Sequence, residues 1–425
     1  MNARVAAISS RTFAAMRFRN YRLYFFSQVV SFSGTWMQGI AQAWLVLELT
    51  GSGTALGTVV AMQFLPTLLL APFGGVIADR FEKRKLIMVT QSVAGLLALT
   101  LGVLTISGAV ELWMVYVIAA CFGAVTAIDN PSRQTFVMEM VGPADIANAV
   151  TLNSVVVNAA RAIGPAIGGV VIATVGIGQC FVVNAFSYLA VIVALMFIRR
   201  SELHPSARSA RAPGQLREGF RYAWNTPTLR VTLVMLAIIG TFTYEFTTTL
   251  PLFSEFTFGA GSSGLATMTA LMGVGAVVGG LVVASGGPPT PSRLVMVAAS
   301  FGSSVLVAAV MPRIGLVYLV MPFVGAASVA VISLSNATLQ LNSDPKLRGR
   351  VMSIFSMALI GSTPIGGPLM GWIGETVSAR VSLLIGGASA VIAALYGWWS
   401  LTRPSADTAT PAVIEQLPSE AAASR

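Results

Sequence analysis

Two ionisable side chains stand inside long apolar stretches of this sequence. Glu245 is the one charge in Val231–Leu252, and Thr241, Glu245 and Thr248 share a helical face. A carboxyl removed from water favours its neutral form. A Glu in a cavity that alternately wets and dries can therefore bind and release a proton. A hydrated Glu near the outer end, before Leu250-Pro251, is the other reading. Arg161 follows Ser154 and Asn158 at spacings of four and three, which makes one polar helical face. A charge near a bilayer centre costs about 2.5 to 17 kcal/mol, so Arg161 must face a cavity or a partner. Anion binding, coupling, or a structural bond near the Pro165 bend would each meet that need. Gln28, Ser31, Thr35, Gln38 and Gln42 recur at spacings 3, 4, 3 and 4 as a polar stripe on an apolar helix. Such a stripe lines a water-filled cavity or bonds to other helices. Phe32, Trp36, Phe242 and Tyr244 offer aromatic walls or packing. Glu48, Glu255 and Glu375 read as rim charges.

Enzyme chemistry has little to build on. The one histidine, His204, lies outside the apolar runs, so no Ser-His-Asp or Cys-His arrangement can form within them. Cys121 and Cys180 sit in apolar runs and do not suggest a disulfide framework. No G-x-x-x-x-G-K-[ST] segment is present to cradle a phosphate. No cofactor or metal site is expected, and the chain is read as a non-enzyme.

The elements that carry these residues follow from composition. Of 425 residues, 55% are apolar and 10% charged, with a mean hydropathy of +0.78. Soluble domains carry about 25% charged residues, so too few remain here to coat a soluble protein of this length. Spans of about 20 apolar residues cross a bilayer, and twelve are predicted: 21–48, 54–78, 86–107, 111–129, 149–174, 179–198, 230–252, 262–285, 293–312, 314–336, 350–375 and 381–401. The first is too long for a signal-peptide core and has no small-residue cleavage site after it, so it is read as retained. Of 26 Lys and Arg, 23 fall on one side of these spans and two, Arg313 and Arg380, on the other. By the positive-inside rule both termini are cytoplasmic. The net charge of +10 is thereby topological and does not indicate nucleic acid.

The organisation reads as a cytoplasmic N-terminus (1–20), a six-helix half (21–198), a cytoplasmic linker (199–229), a second six-helix half (230–401) and a disordered cytoplasmic tail (402–425). The linker shows no apolar period at its start. The halves resemble each other. Gly164-Pro165-Ala166-Ile167-Gly168 recurs as Gly367-Pro368-Leu369-Met370-Gly371, and Gly74-Gly75 as Gly279-Gly280, at offsets of 203 and 205. The expected fold is an all-α membrane protein, with twelve transmembrane helices in two parallel-repeat halves and a site between them near the midplane.

The segment between the second and third spans reads Gly75-Val76-Ile77-Ala78-Asp79-Arg80-Phe81-Glu82-Lys83-Arg84-Lys85. It resembles the loop motif G-x-[LIV]-[AG]-D-[RK]-x-G-[RK]-[RK] of the major facilitator superfamily, with Glu82 where the family usually has Gly. The resemblance implies a cytoplasmic gate built from Gly75, Asp79, Arg80, Arg84 and Asp129. In it Asp79 would cap the eleventh span, at the positive end of a helix dipole, and Arg80 or Arg84 would pair with Asp129. The equivalent stretch of the second half, Gly279–Gly287, lacks the Asp and its basic neighbour. Gly164-Pro165-Ala166-Ile167-Gly168-Gly169 resembles the G-P-x-x-G-G motif of superfamily antiporters, chiefly exporters, with ordinary close helix packing as the other reading. With Asp129–Gln134, Arg161 and Arg348–Ser353 it is similar to the bacterial subgroup holding the enterobactin exporter and macrolide or multidrug efflux proteins. Many drug antiporters carry an Arg four residues before a Gly in the fourth helix. Ala119 stands there, before Gly123, so that role does not transfer.

The resemblance implies a secondary transporter of the bacterial plasma (inner) membrane. It would export amphipathic small molecules, drugs or siderophore-like metabolites, against protons by alternating access. Its partners would be the bilayer, a small-molecule substrate and protons, and a monomer is expected. The alternative is an importer or uniporter of a small organic solute, or a non-transporting membrane sensor or assembly protein.

Overall fold

The computed structural model describes residues 14–204, 215–287, 289–345 and 347–401, and among these every regular element is helical. The expected tail (402–425), most of segment 1–20 and residues 205–214 of the linker lie outside the described residues, as does the side chain of Asn158. The first six helices are α1 (Arg19–Thr50), α2 (Gly53–Arg80), α3 (Lys83–Ile106), α4 (Leu112–Val141), α5 (Ile146–Thr174) and α6 (Ile177–Met196). A short α7 (Gln215–Asn225) leads into α8 (Pro227–Phe242), α9 (Phe246–Leu252), α10 (Gly261–Ser285), α11 (Pro291–Val310) and α12 (Ile314–Leu341). The chain ends in α13 (Arg348–Ile360), α14 (Thr363–Thr376) and α15 (Ala379–Leu401). We call the end of the bundle where α1 passes to α2 the far side, and the end where α2 passes to α3 the near side.

Among the described residues, eleven helical stretches are long and apolar enough to cross a membrane. With 32 residues α1 also has the length, but its polar stripe dilutes its apolar content. The expected count of twelve therefore rests on α1.

Three helices depart from the sequence reading. The fourth span was expected to end at 129, yet α4 runs unbroken to Val141 through Asp129, Pro131 and Arg133. Asp129 and Arg133 are one turn apart and ion-paired, so the charges that suggested a loop offset each other inside the helix. The seventh span is interrupted. After Phe242 the Tyr244 N–H reaches back five residues to the Ile239 carbonyl at 3.0 Å. The Thr243 hydroxyl donates to the Gly386 carbonyl of α15 at 2.7 Å, which holds the widened turn open. The eleventh span breaks at Gly361-Ser362, just before Pro364 in the first turn of α14, where a residue without an N–H is tolerated. The linker, read as having no apolar period at its start, contains α7 in its second half.

Much of the outer surface is bare hydrocarbon. Phe186, Leu281, Leu319 and Phe323 are among many large apolar side chains exposed there. Water gives such a surface no stability, whereas lipid does. Helix association inside lipid relies on close backbone approach at small residues. Gly275 of α10 lies against the Pro322 carbonyl of α12, and Gly325 of α12 against the Met272 carbonyl of α10. Helices α1–α6 pack chiefly on one another (α2 on α4, α3 on α6, α1 on α5 and α6), and α8, α10–α13 and α15 do likewise (α10 on α12, α11 on α15), whereas α14 packs chiefly on α2. Two seams join these groups, α2 on α14 and α5 on α10.

Candidate functional site

The α2–α14 seam is built from glycine. A methyl group at Gly53 would strike the Gly371 carbonyl, and one at Gly57 would strike the Gly367 carbonyl and come within 2.7 Å of Pro368 Cα. The α5–α10 seam uses Gly169 against Ala266 and Gly273 against Ala162. These contacts occupy the far half and the middle of the bundle. Towards the near side α2 makes few contacts with α13, Leu68 against Gly361 being one of them.

Glu375, at the far end of α14, closes this seam. Its Oε2 accepts from the Ser52 hydroxyl at 2.7 Å, the Thr54 N–H at 2.9 Å and the Thr54 hydroxyl at 2.8 Å. Ser52 also caps α2, accepting from the Ala55 N–H at 3.1 Å. The carboxylate thus meets the positive end of the α2 dipole from the other group of helices. The sequence reading gave Glu375 only as a rim charge. More than 300 residues separate it from Ser52 and Thr54, and no local pattern links them.

Glu245 lies at the break between α8 and α9 and is 1% exposed. The Gly366 and Gly367 backbones face it: a methyl group at Gly366 would stand 2.8 Å from Oε1, and one at Gly367 3.5 Å from Oε2. Neither carboxylate oxygen has a hydrogen-bond partner of ordinary geometry, and the Thr363 hydroxyl is the polar group close to it. The Thr248 hydroxyl is also buried without a partner, while the Thr241 hydroxyl donates to the Ala237 carbonyl of its own helix. An unpaired buried carboxyl is costly, and packing alone does not require one here.

Arg161 lies on α5 with its guanidinium 5.0 Å from the Trp36 ring centre of α1. Its Nε is buried without a hydrogen-bond partner. Gly164, one turn on, permits this approach: a side chain there would meet the Ser33 carbonyl and Trp36 Cβ, each at 2.6 Å. Pro165 follows inside α5, Gly168 faces Met37, and Gly169 serves the seam to α10. Tyr244 donates to the Ser328 carbonyl of α12 at 2.5 Å and packs its ring on Phe301, with centroids 5.1 Å apart. Among the described ion pairs, Arg161 and Glu245 do not pair with each other.

The stripe of α1 faces protein. Gln28 accepts from Arg133 of α4, Thr35 shares a hydrogen bond with Tyr188 of α6 at 3.2 Å, and Gln38 accepts from Asn184 of α6 at 2.6 Å. Ser31 is buried and its carbonyl accepts from Thr35, whereas Gln42 is half-buried. Gln28, Thr35 and Gln38 thus bond to other helices in this arrangement.

The gate residues are spread over the near side. Gly75 is buried next to Gly74, which abuts the Ala127 carbonyl of α4. Asp79 is half-buried and Arg80 exposed at the end of α2. Arg84 donates to the Leu195 carbonyl at 2.6 Å and the Met196 carbonyl at 3.2 Å, satisfying the last turn of α6. Asp129 is buried and accepts from Thr90 at 2.5 Å and Gln91 at 3.1 Å besides Arg133. Arg133, counted in the sequence as a loop charge, is thus the partner Asp129 has here, in place of Arg80 or Arg84. The i, i+4 spacing of Asp129 and Arg133 was the signal for it.

Comparison with known proteins bears on the family and the fold. The family described as transmembrane secretion effector (MFS_3) matches residues 10–421. The staphyloferrin A transporter of Staphylococcus aureus (strain NCTC 8325 / PS 47) is 26% identical over 82% of this chain and 88% of its own length. The multidrug efflux pump Tap of Mycolicibacterium fortuitum is 26% identical over 85% and 91%. The enterobactin exporter EntS of Salmonella choleraesuis (strain SC-B67) is 21% identical over 88% and 90%. In fold the chain is similar to the nucleoside transporter NupG, with a TM-score of 0.71 at 11% identity, covering 91% of this chain and all of that one. This chain is a multi-pass membrane protein that belongs to the transmembrane secretion effector family of the major facilitator superfamily.

Proposed function

We propose that the protein is a proton-coupled exporter of amphipathic small molecules in a bacterial inner membrane, with the near side cytoplasmic, working by alternating access. The observation that carries the coupling is Glu245, a buried carboxyl with no partner of ordinary geometry, set at a helix break beside the seam between the helix groups. A carboxylate needs water or donors to keep its charge, so gain and loss of its proton follow the drying and wetting of that seam. Arg161, stacked on Trp36 with a free Nε, is our candidate for holding an anionic or hydrogen-bonding part of the substrate. Two relatives' names, a multidrug efflux pump and an enterobactin exporter, support export, and with the staphyloferrin A transporter they leave the cargo within drugs or siderophore-like metabolites. With the near side cytoplasmic, the arrangement described is the inward-open one, its far side shut by the glycine seams and Glu375.

The test is transport in proteoliposomes. A pH gradient should drive a fluorescent amphipathic cation or a catecholate against its gradient. Glu245→Gln should abolish gradient-driven accumulation and leave binding and downhill exchange intact. Unchanged pH dependence in that variant would remove Glu245 from coupling, and downhill movement insensitive to pH in the wild type would favour a uniporter.

A further inference from the structure

The helix α7, Gln215–Asn225, stands in the linker between the two groups of helices. One side of it is pinned. Gly219 is buried against Arg350, where an added methyl group would lie 2.6 Å from Arg350 Cβ. Glu218 pairs with Arg350 at 2.5 Å, and the Tyr222 hydroxyl accepts the Asp344 N–H at 3.0 Å. Ala223, one turn beyond Gly219, is 2% exposed. These attachments fix the helix on the near-side ends of α12 and α13.

The opposite side faces outward with a mixed chemistry. Phe220 and Trp224 are 53% and 50% exposed, and their rings stack with centroids 5.6 Å apart and planes 15° from parallel. At 100° per residue, Arg217 and Arg221 follow next to them on the helical wheel, and both are exposed. The acid of this helix, Glu218, is already engaged by Arg350, so the outward face is left positive. Trp224 precedes Pro227, the first residue of a membrane-capable stretch, by three positions. The ring pair therefore lies at the level where the chain enters the bilayer. Aromatic rings concentrate at that level, and Arg stems lie along apolar surface with their heads in the polar layer.

We propose that α7 lies in the headgroup layer and binds anionic phospholipid, with Phe220 and Trp224 among the upper acyl carbons and Arg217 and Arg221 on lipid phosphates. The occupant follows from charge and continuity. The cationic pair matches an anionic headgroup, and the ring pair continues the apolar outer surface of the bundle onto the linker. Arg350 lies in the first turn of α13, so one ion pair ties α7 to the near-side end of that helix.

The test uses the full chain in phosphatidylcholine nanodiscs doped with brominated phosphatidylcholine or brominated phosphatidylglycerol, which quench nearby indoles. Subtracting Trp224→Phe isolates the emission of Trp224. That emission should be quenched by both lipids, and at least twofold more by the glycerol lipid at equal bromine content. Arg217→Gln with Arg221→Gln should erase the preference and keep quenching by the choline lipid, and Arg217→Lys with Arg221→Lys should retain most of it. Inorganic phosphate at 10-fold excess over lipid should leave the preference in place. Emission untouched by either lipid would take α7 off the membrane. Equal quenching in the unaltered chain, or a preference erased by free phosphate, would overturn anionic lipid as the ligand.

Discussion

Removing the Glu375 carboxylate tests whether the far-side clasp sets the balance between the two states of the bundle. Its Oε2 holds three donors, all from the first residues of α2. Buried hydrogen bonds to a charged group contribute about 1.5 to 3 kcal/mol each. Glu375 is exposed, so screening reduces each to about 0.5 kcal/mol, near the middle of the range for surface pairs. The clasp as a whole then favours the far-closed state by about 1.5 kcal/mol, roughly a tenfold change in the two-state ratio. Glu375→Ala should raise the far-open fraction by about tenfold. Glu375→Gln, whose amide oxygen still accepts from Thr54, should raise it by about threefold. Double electron–electron resonance between spin labels at Leu49 and Val377, in a cysteine-free background, reads the two populations. Glu48→Gln is the control, because Glu48 accepts from Trp44 of its own helix and, among the described residues, makes no ion pair or side-chain hydrogen bond to another helix. Thr54→Val combined with Glu375→Ala should shift the ratio no further than Glu375→Ala alone. A distance distribution that ignores Glu375→Ala, or moves as much in Glu48→Gln, would refute the clasp.

Gly57→Leu should lower transport at least tenfold, because its side chain cannot coexist with the Gly367 carbonyl and Pro368 Cα. Gly39→Ala, which opens into free space, should transport normally in the same vesicles. Asp129→Ala should cost about 3 to 5 kcal/mol by leaving Arg133 buried beside Gln28 alone. Thermal unfolding in detergent should show the loss, and Asp129→Leu with Arg133→Leu should recover most of it. Asp79→Asn should slow turnover several-fold while leaving substrate affinity unchanged, as measured by single-turnover exchange against equilibrium binding.

What could be read from the sequence was set by the bilayer. Apolar run length placed most helix ends within a few residues, because a charge at a span's end is rarely inside hydrocarbon. That logic failed at Asp129 and Arg133, which satisfy each other one turn apart and let α4 continue to Val141. It also missed α7, whose Phe220 and Trp224 are spaced for a helix but follow an Arg- and Pro-rich stretch. Glu245 and Arg161 stood out because an ionisable group in an apolar run has few innocent explanations. Their surroundings did not, since Gly366 faces Glu245 from α14 and Trp36 faces Arg161 from α1. The break at Thr243–Glu245 depends on a hydroxyl reaching Gly386, and periodicity cannot report a bond of that range.

The placement of Glu245 ties the proposed coupling to the proposed gate by geometry alone. A methyl group at Gly367 would lie 3.1 Å from the Gly57 carbonyl and 3.5 Å from Glu245 Oε2. One glycine backbone is thus all that stands between the carboxyl and α2. In the proposed mechanism, separation of α2 from α14 would open the far side and uncover the glycine backbone that covers Glu245. The side chain then gains the water that a carboxylate requires, on the side from which an exporter takes its proton. A variant that holds α2 on α14, such as cysteines replacing Ser52 and Glu375, whose side chains touch across the seam, joined by a disulfide, should therefore block reaction of Glu245 with dicyclohexylcarbodiimide, and reduction of that bond should restore it. Labelling that proceeds equally in both redox states would separate the gate from the carboxyl.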